Sequence, residues 1–521
     1  MFDELGIGNV LDRAIQHKPE TRLVTVGNAV KAMVLNGLGF VNQQLDLLPQ
    51  FFQTKPTQRL IAPGIDARHL HDDTLGRALD TLSAYGVTEL YSLIAATAAQ
   101  RLGLAPTFAH LDSPSFHVDG RYNSAEEPDA AVIHITRGDS RDHRPDLNPV
   151  MLDRIVEHQA GIPLLMQPRS GNSSDVQHFG HIITEHIKQL HTTYGTTYLV
   201  ADSALYSEEN LQKLAKTGSK WLTRVPATVT EAQDALARGD PETRAPVGEG
   251  YRSHGLESNY GGVAQRWMRR YSEQRRPSAQ RSVDKHWRKQ RAAAAKAFQK
   301  LCRTAFACEA DAQHALMTFA HGLQAASLYE STIQPKPRYG KRGRPRQETA
   351  PVQLVYYITG ALTSSRAAHA ALVAPQSCVI LATNELDEGL LSPQALLAGY
   401  KGQQQAERGL RFLKAPRFLA ASLYRKKPER IMALLMVMTV CLRVYAALEY
   451  RIRKALKDSD ATCPNQKGQP VQHPTARWVF QYFVGIHLLR IRGEGAVVLN
   501  LNDQHQHLLR LLGRSYEAFY S

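Results

Sequence analysis

The 521-residue chain is poor in cysteine, with only Cys302, Cys308, Cys378, Cys441 and Cys463. No two of them form a C-x-x-C pair and the number is odd, which excludes a disulfide framework and fits free thiols in a reducing cytosol. Long hydrophobic runs are also missing. The longest, Ile431 to Leu442, is stopped by Arg443 and falls short of the roughly 20 residues a membrane span needs, so no membrane partner is expected. The opening Met1-Phe2-Asp3-Glu4 has neither a basic flank nor an apolar core, and no secretory signal is expected. Acidic side chains are the scarcer charge: 48 Asp and Glu stand against 63 Lys and Arg, a formal net charge of +15. Such an excess says nothing of fold but points to a polyanionic partner.

What is present is ordinary for a folded chain of two to four domains, with 43% hydrophobic and 21% charged residues. The basic charge is concentrated. Between Gln265 and Lys300 stand twelve Lys or Arg, Arg269 and Arg270 among them, against Glu273 and Asp284. Trp267, Tyr271 and Trp287 are interleaved, a pattern that suits a phosphate backbone with bases to stack against. Trp267, Trp287, Arg269 and Arg270 are therefore candidate DNA contacts. The competing readings are a solvated helix face for the charges and packing for the tryptophans.

Further along, Tyr400, Gln403, Glu407 and Lys414 are spaced by 3, 4 and 7. At about 100° per residue these four, with Arg411, fall within roughly 80° of helix surface. One carboxylate thus sits in a row of phosphate-binding groups where a bundle stripe would be apolar. A helix over about 392–414 is predicted, with Ser392 as N-cap and Pro393 as its first residue. Gly399, Gly402 and Gly409 oppose it, each weakening a helix by up to about 1 kcal/mol relative to alanine. Two more acids stand out. Asp112 closes the run from Thr107, Asp202 closes the run from Thr197, and each run is short, β-prone and followed by serine. A strand end holds a ligand rigidly at the lip of a sheet, although a lone aspartate there is also a common turn former. Asp119 before Gly120 reads as a hairpin turn. Glu385, Asp387 and Glu388 could supply a third ligand but lack the basic helical row.

Together these residues resemble a DDE transposase of bacterial insertion sequences, in the IS-four-like group marked by Tyr, two residues, Arg, three residues, Glu, six residues, Lys. The chain keeps every interval as Tyr400, Gln403, Glu407 and Lys414, with Gln in place of Arg. His110-Leu111-Asp112-Ser113, Leu199-Val200-Ala201-Asp202-Ser203 and the segment from Ser140 to Leu147 are similar to the family as well. The resemblance runs from about residue 20 to about residue 455.

It implies an α/β fold: a ribonuclease-H-like catalytic core, a mixed sheet flanked by helices, interrupted by an inserted β-rich domain and preceded by an N-terminal helical domain. The expected boundaries are 1–105 for the helical DNA-binding domain, 106–225 and 351–456 for the two parts of the core, 226–350 for the basic insertion and 457–521 for a C-terminal region. Strands are expected at 107–111, 131–136, 162–167, 198–201 and 221–225, with helices at 176–192 and 207–216. Three strands followed by alternating helix and strand is the order of such a core. By the resemblance its first and fourth strands are neighbours, which brings Asp112 and Asp202 together. The segment 339–346 reads as a basic linker or a minor-groove hook, and 428–456 as an apolar helix that covers the core or pairs with another subunit.

The implied activity is binding of the element's terminal inverted repeats, metal-dependent strand cleavage and strand transfer. Asp112, Asp202 and Glu407 would be catalytic and would hold two Mg²⁺ ions, with Mn²⁺ able to replace them, since Mg²⁺ prefers hard oxygen ligands. Tyr400, Gln403, Arg411 and Lys414 would bind phosphates, although Gln403 carries no charge. The implied partners are double-stranded DNA, as transposon end and as target, and a second copy in a homodimeric synaptic complex. The implied location is the cytoplasm, at the nucleoid. A transposase-derived DNA-binding protein and a nuclease of similar fold remain alternatives.

Overall fold

The computed structural model describes residues 1–16, 23–39, 45–118, 132–135, 148–171, 175–237, 245–323, 325–339, 352–364, 369, 373, 376–404, 409, 427–491 and 495–521. The chain divides into two compact units. One comprises Met1–Arg224, Ser258–Arg266 and Ala382–Ser521, the other Val225–Glu257 and Trp267–Leu381.

In the first unit the helices Val26–Leu38, Asp72–Tyr85 and Val87–Leu102 pack around the 31-residue helix Pro428–Asp458. That helix is long and apolar enough to cross a membrane, yet 83% of its most apolar window is buried inside the protein. Arg443, which interrupts its apolar run, is itself fully buried. Its guanidinium donates to the Tyr91 hydroxyl at 3.1 Å, to the Ala95 carbonyl at 3.3 Å and to the Pro163 carbonyl. A buried charge met by three oxygens ties helix, helix and sheet together.

The sheet of this unit is built from β1 (Phe108–Asp112), β2 (Ser115–Val118), β3 (Asn148–Glu157), β4 (Pro163–Ser170), β5 (Tyr198–Ala201) and β6 (Lys220–Arg224). β1 and β2 pair antiparallel with β3 in a single register, Asp112 opposite Arg154 and Ser115 opposite Met151. They are one strand interrupted at Ser113-Pro114, where proline has no N–H to give the ladder. β4 takes the other edge of β3, antiparallel. On the far side of β1, β5 pairs parallel, and β6 parallel to β5. The spatial order is β4, β3, β1, β5, β6. The sheet is therefore mixed, antiparallel on one side of β1 and parallel on the other, with helices Asp175–Tyr194 and Glu208–Lys216 in the connections after β4 and β5.

One expected strand is misplaced. Val132–Ile135, the described part of 131–136, is not in a strand, and the His134 N–H donates to the Ser170 hydroxyl at 2.8 Å. The middle strand is β3, whose Asp153, Arg154 and Glu157 break an apolar run yet are wholly buried. Neighbours meet them at least in part: Arg169 pairs with Asp153 at 2.7 Å, one nitrogen of Arg154 with Asp112, and three backbone N–H groups of residues 159, 160 and 162 reach Glu157.

The second unit contains β7 (Ala245–Gly248), most of β8 (Tyr251–Ser258), of β9 (Gln265–Ser272) and of β12 (Cys378–Thr383), and a hairpin of β10 (Ser327–Arg338) with β11 (Gln353–Thr363). It is mixed and not simply β-rich, because Arg276–Arg303 forms a helix of 28 residues and Glu309–His321 another. The alanine run 292–295 and the flanking Lys, Arg and Gln are strong helix formers. The chain returns to the first unit at Ser258–Arg266 and again at Ala382, after β11 has formed its hairpin with β10.

Candidate active site

The β1–β5 register sets Phe108 opposite Tyr198 and His110 opposite Val200. Carried two residues further, the same offset sets Asp112 against Asp202, with both side chains on one face of the sheet by strand alternation. The two strands end there together, at a lip where β1 gives way to Ser113-Pro114 and β5 to a 3₁₀ turn, Ser203–Leu205. Asp202 is exposed. One of its carboxylate oxygens accepts the Ala204 N–H at 2.9 Å, and its backbone carbonyl accepts the Thr223 hydroxyl of β6 at 2.6 Å. The Asp112 carboxyl is 23% exposed, and its Oδ2 accepts a 2.9 Å hydrogen bond from Arg154, whose side chain is 0% exposed. Among the described residues, each aspartate keeps one carboxylate oxygen without a hydrogen bond. Hard, anionic oxygens side by side at an open lip suit Mg²⁺ or Mn²⁺, and no thiolate or imidazole is needed.

The helix Pro393–Lys401 begins as the sequence predicts, the Ser392 hydroxyl accepting the Ala395 N–H at 3.2 Å. Its glycines have a packing reason. A Cβ at Gly399 would lie 2.6 Å from the Phe108 ring, and one at Gly402 would lie 2.8 Å from Nε2 of His110. Phe108, His110 and Asp112 share a face of β1, so this segment lies directly on the strand that ends in Asp112. The Phe108 ring has little room to yield, stacked on Tyr198 with centroids 5.3 Å apart and edge-on to His158 at 5.4 Å. His110 is held neutral: burial, and secondarily the charge of His158, push its pKa down to about 3. Tyr400 and Gln403 are half-buried on this segment. Glu407, Arg411 and Lys414 lie outside the described residues, as do Asp119, the segment from Ser140 to Leu147 and most of the basic segment 339–346.

The rival acids are at the wrong end of the sheet. Glu385 pairs with Lys220 at 3.3 Å, and Asn384 accepts the Trp221 N–H at 3.0 Å, where β6 begins. Asp387 caps its own turn by accepting the Gly389 N–H at 2.7 Å, and Glu388 pairs with Arg266 at 3.0 Å. None of them faces the lip where β1 and β5 end.

The four predicted DNA contacts of the second unit need correction. Trp267 is 1% and Trp287 8% exposed, the latter edge-on to His369 with centroids 5.2 Å apart. Arg269 and Arg270 are also buried, Arg269 donating to the Ala235 carbonyl at 2.8 Å and Arg270 lying over the Tyr251 ring. Trp267, Arg269 and Arg270 are interior because β9 is covered on both faces, none of its residues being exposed, and Trp287 because it lies on the buried side of the following helix. The open charge is on the next element. All nine Lys and Arg of helix Arg276–Arg303 are exposed, while Ala279, Val283, Trp287 and Phe298 form its buried stripe. Its one acid, Asp284, pairs with His369 at 2.9 Å. Sequence reasoning missed Arg154 altogether, although a basic residue inside an apolar β-prone run was the available signal.

Residues 147–443, more than half of the chain, match the family described as transposase DDE domain. This span includes Asp202 and Glu407, whereas Asp112 precedes it. Residues 1–96 match a domain of unknown function, DUF4277. No curated protein matches the chain. Among solved structures, a cryo-EM structure of a piggyBac transposase synaptic complex with hairpin DNA is 9% identical, covering 92% of this chain and 79% of that one with a TM-score of 0.38.

Proposed function

The chain belongs to the transposase DDE domain family, and from that premise we propose that it binds the terminal inverted repeats of an insertion sequence and catalyses strand cleavage and strand transfer with Asp112, Asp202 and Glu407. The observation that carries the proposal is the parallel pairing of β1 with β5, whose common offset aligns the first two acids. The sheet order β4, β3, β1, β5, β6 supports a ribonuclease-H-like core. The third acid is proposed on spacing: the segment bearing Gly399 and Gly402 advances along β1 from Phe108 to His110, toward Asp112.

Asp112, Asp202 and Glu407 would hold a pair of divalent ions, Mg²⁺ or in its place Mn²⁺. When bound, such a pair supplies activation of a nucleophile and neutralisation of charge on the leaving 3′ oxygen. Cleavage by water and transfer by a 3′-hydroxyl are then the same in-line displacement with different nucleophiles. Tyr400, Gln403, Arg411 and Lys414 are proposed to hold phosphates beside the cut. With Gln403 in the place of the signature's arginine, the positive charge of that row falls to Arg411 and Lys414.

For DNA outside the active site, the outward face of helix Arg276–Arg303 is the proposed contact in place of Trp267, Trp287, Arg269 and Arg270. At about 100° per residue, Arg281, Lys285, Arg288, Lys289, Lys296, Lys300 and Arg303 fall in an arc of roughly 120°, opposite the buried stripe. Such a face binds phosphates without reading sequence. A homodimer bridging two ends, at the nucleoid in the cytoplasm, completes the proposal.

The test is a cleavage assay on transposon-end DNA with Mg²⁺. Asp112→Asn, Asp202→Asn and Glu407→Gln should each abolish cutting while a gel-shift assay shows DNA binding retained. Wild-type cutting by any one of them would remove that acid from the site.

A further inference from the structure

Arg154 faces Asp112 directly in the β1–β3 register and is among the largest fully buried side chains of the protein. Its Nη2 donates to Oδ2 of Asp112 at 2.9 Å. Among the described residues its Nε and Nη1 find no acceptor. Burying a guanidinium against one partly exposed carboxylate, with two donors unmet, sacrifices stability that an apolar side chain of similar volume would restore. A residue that breaks the local rule in this way belongs with function.

Two consequences follow from its place. The hydrogen bond fixes the Asp112 carboxylate through Oδ2 and leaves Oδ1 without a described partner. The guanidinium would also oppose a divalent ion on that carboxylate, through a medium less polar than water. Fixing one short side chain gains less than this repulsion costs, so the net influence of Arg154 on a free cation is unfavourable. DNA phosphates entering the site reverse the balance by adding negative charge.

We propose that Arg154 is a positioning residue that aims Asp112 and keeps the site weak for free divalent cations, so that metal is taken up together with the DNA phosphates. The proposal rests on Asp112 being a metal ligand.

The experiment titrates the full-length chain with Mn²⁺ in the absence of DNA, following free Mn²⁺ by electron paramagnetic resonance, and measures cleavage at saturating metal in parallel. Arg154→Met should lower the Kd for Mn²⁺ about fivefold or more and slow cleavage about tenfold, within the range for residues supporting a metal ligand. Arg154→Lys keeps the charge without the planar fork; its Kd should stay within about twofold of wild type while cleavage still slows. Unchanged or weaker Mn²⁺ binding by folded Arg154→Met overturns the proposal. Should that variant not fold, Arg154→Lys decides it, since wild-type cleavage by this variant overturns the positioning role. Asp112→Asn separates the premise from the inference. If it binds Mn²⁺ as tightly as wild type, the ligand reading fails; if it loses binding while Arg154→Met matches wild type, only the role of Arg154 fails.

Discussion

Asp112 serves two masters, a proposed ion at the lip of the sheet and a fully buried arginine behind it. Removing its carboxylate therefore tests more than chemistry. Asp112→Ala leaves Arg154 buried with no described acceptor and should cost about 3 kcal/mol of stability, the lower end for breaking a buried pair. Asp112→Asn keeps an oxygen for the guanidinium and should cost about 1 kcal/mol. Urea unfolding of the two variants measures the difference, and equal midpoints would mean that the pair contributes nothing to the fold. Asp202, exposed and bonded among the described residues to its own turn and to Thr223, predicts no such gap between its alanine and asparagine variants. At this scale the two aspartates were legible as acids closing β-prone runs. Arg154 was not, because a charge is read by default as surface; Trp267, Arg269 and Arg270 were misread for the same reason, their basic neighbourhood concealing a strand covered on both sides.

At the scale of elements, glycine in the segment that begins at Ser392 is a contact and not a weakness. Helix propensity alone predicts that Gly399→Ala and Gly402→Ala stabilise by up to about 1 kcal/mol. The geometry predicts the reverse, since each new Cβ would fall under 3 Å from Phe108 or His110, and overpacking of this kind costs about 1–3 kcal/mol. Both variants should melt earlier than wild type and cut more slowly, because the helix must lift from the strand that ends in Asp112. A gain in melting temperature for either would sink this account. Gly409→Ala, whose nearest described neighbour is the movable Leu442 side chain at 3.1 Å, should be milder. The helix start was legible through Ser392 and Pro393, whose capping chemistry is local. The middle strand was not, because the partners that make Asp153, Arg154 and Glu157 tolerable in β3 come from β4, β1 and the turn after the strand, and a single-sequence pattern holds no information about them.

At the scale of the whole molecule, the two units are threaded through one another in sequence, the first resuming at Ser258–Arg266 and again at Ala382. A composition shift marks the long basic stretch but not a nine-residue return, so the boundaries were the least legible part of the fold. Charge, in contrast, survives that threading, because its effect on a polyanion depends on exposure and not on chain order. Seven cations opposite the buried stripe of helix Arg276–Arg303 span 22 residues, about 33 Å at the helical rise, close to one turn of duplex DNA. Affinity for non-specific duplex should then fall steeply with salt, by about 0.9 in log–log slope for each phosphate neutralised. Replacing Arg281, Lys285, Arg288, Lys289 and Lys296 together with glutamine should flatten that slope by up to about 4 while leaving the melting temperature near wild type, as all five are exposed. Arg269→Gln and Arg270→Gln should do the opposite, lowering stability with little change in slope, since both side chains are buried. Fluorescence anisotropy across a salt series reads both. An unchanged slope in the five-site variant would assign this face to solvent and move the duplex elsewhere on the protein.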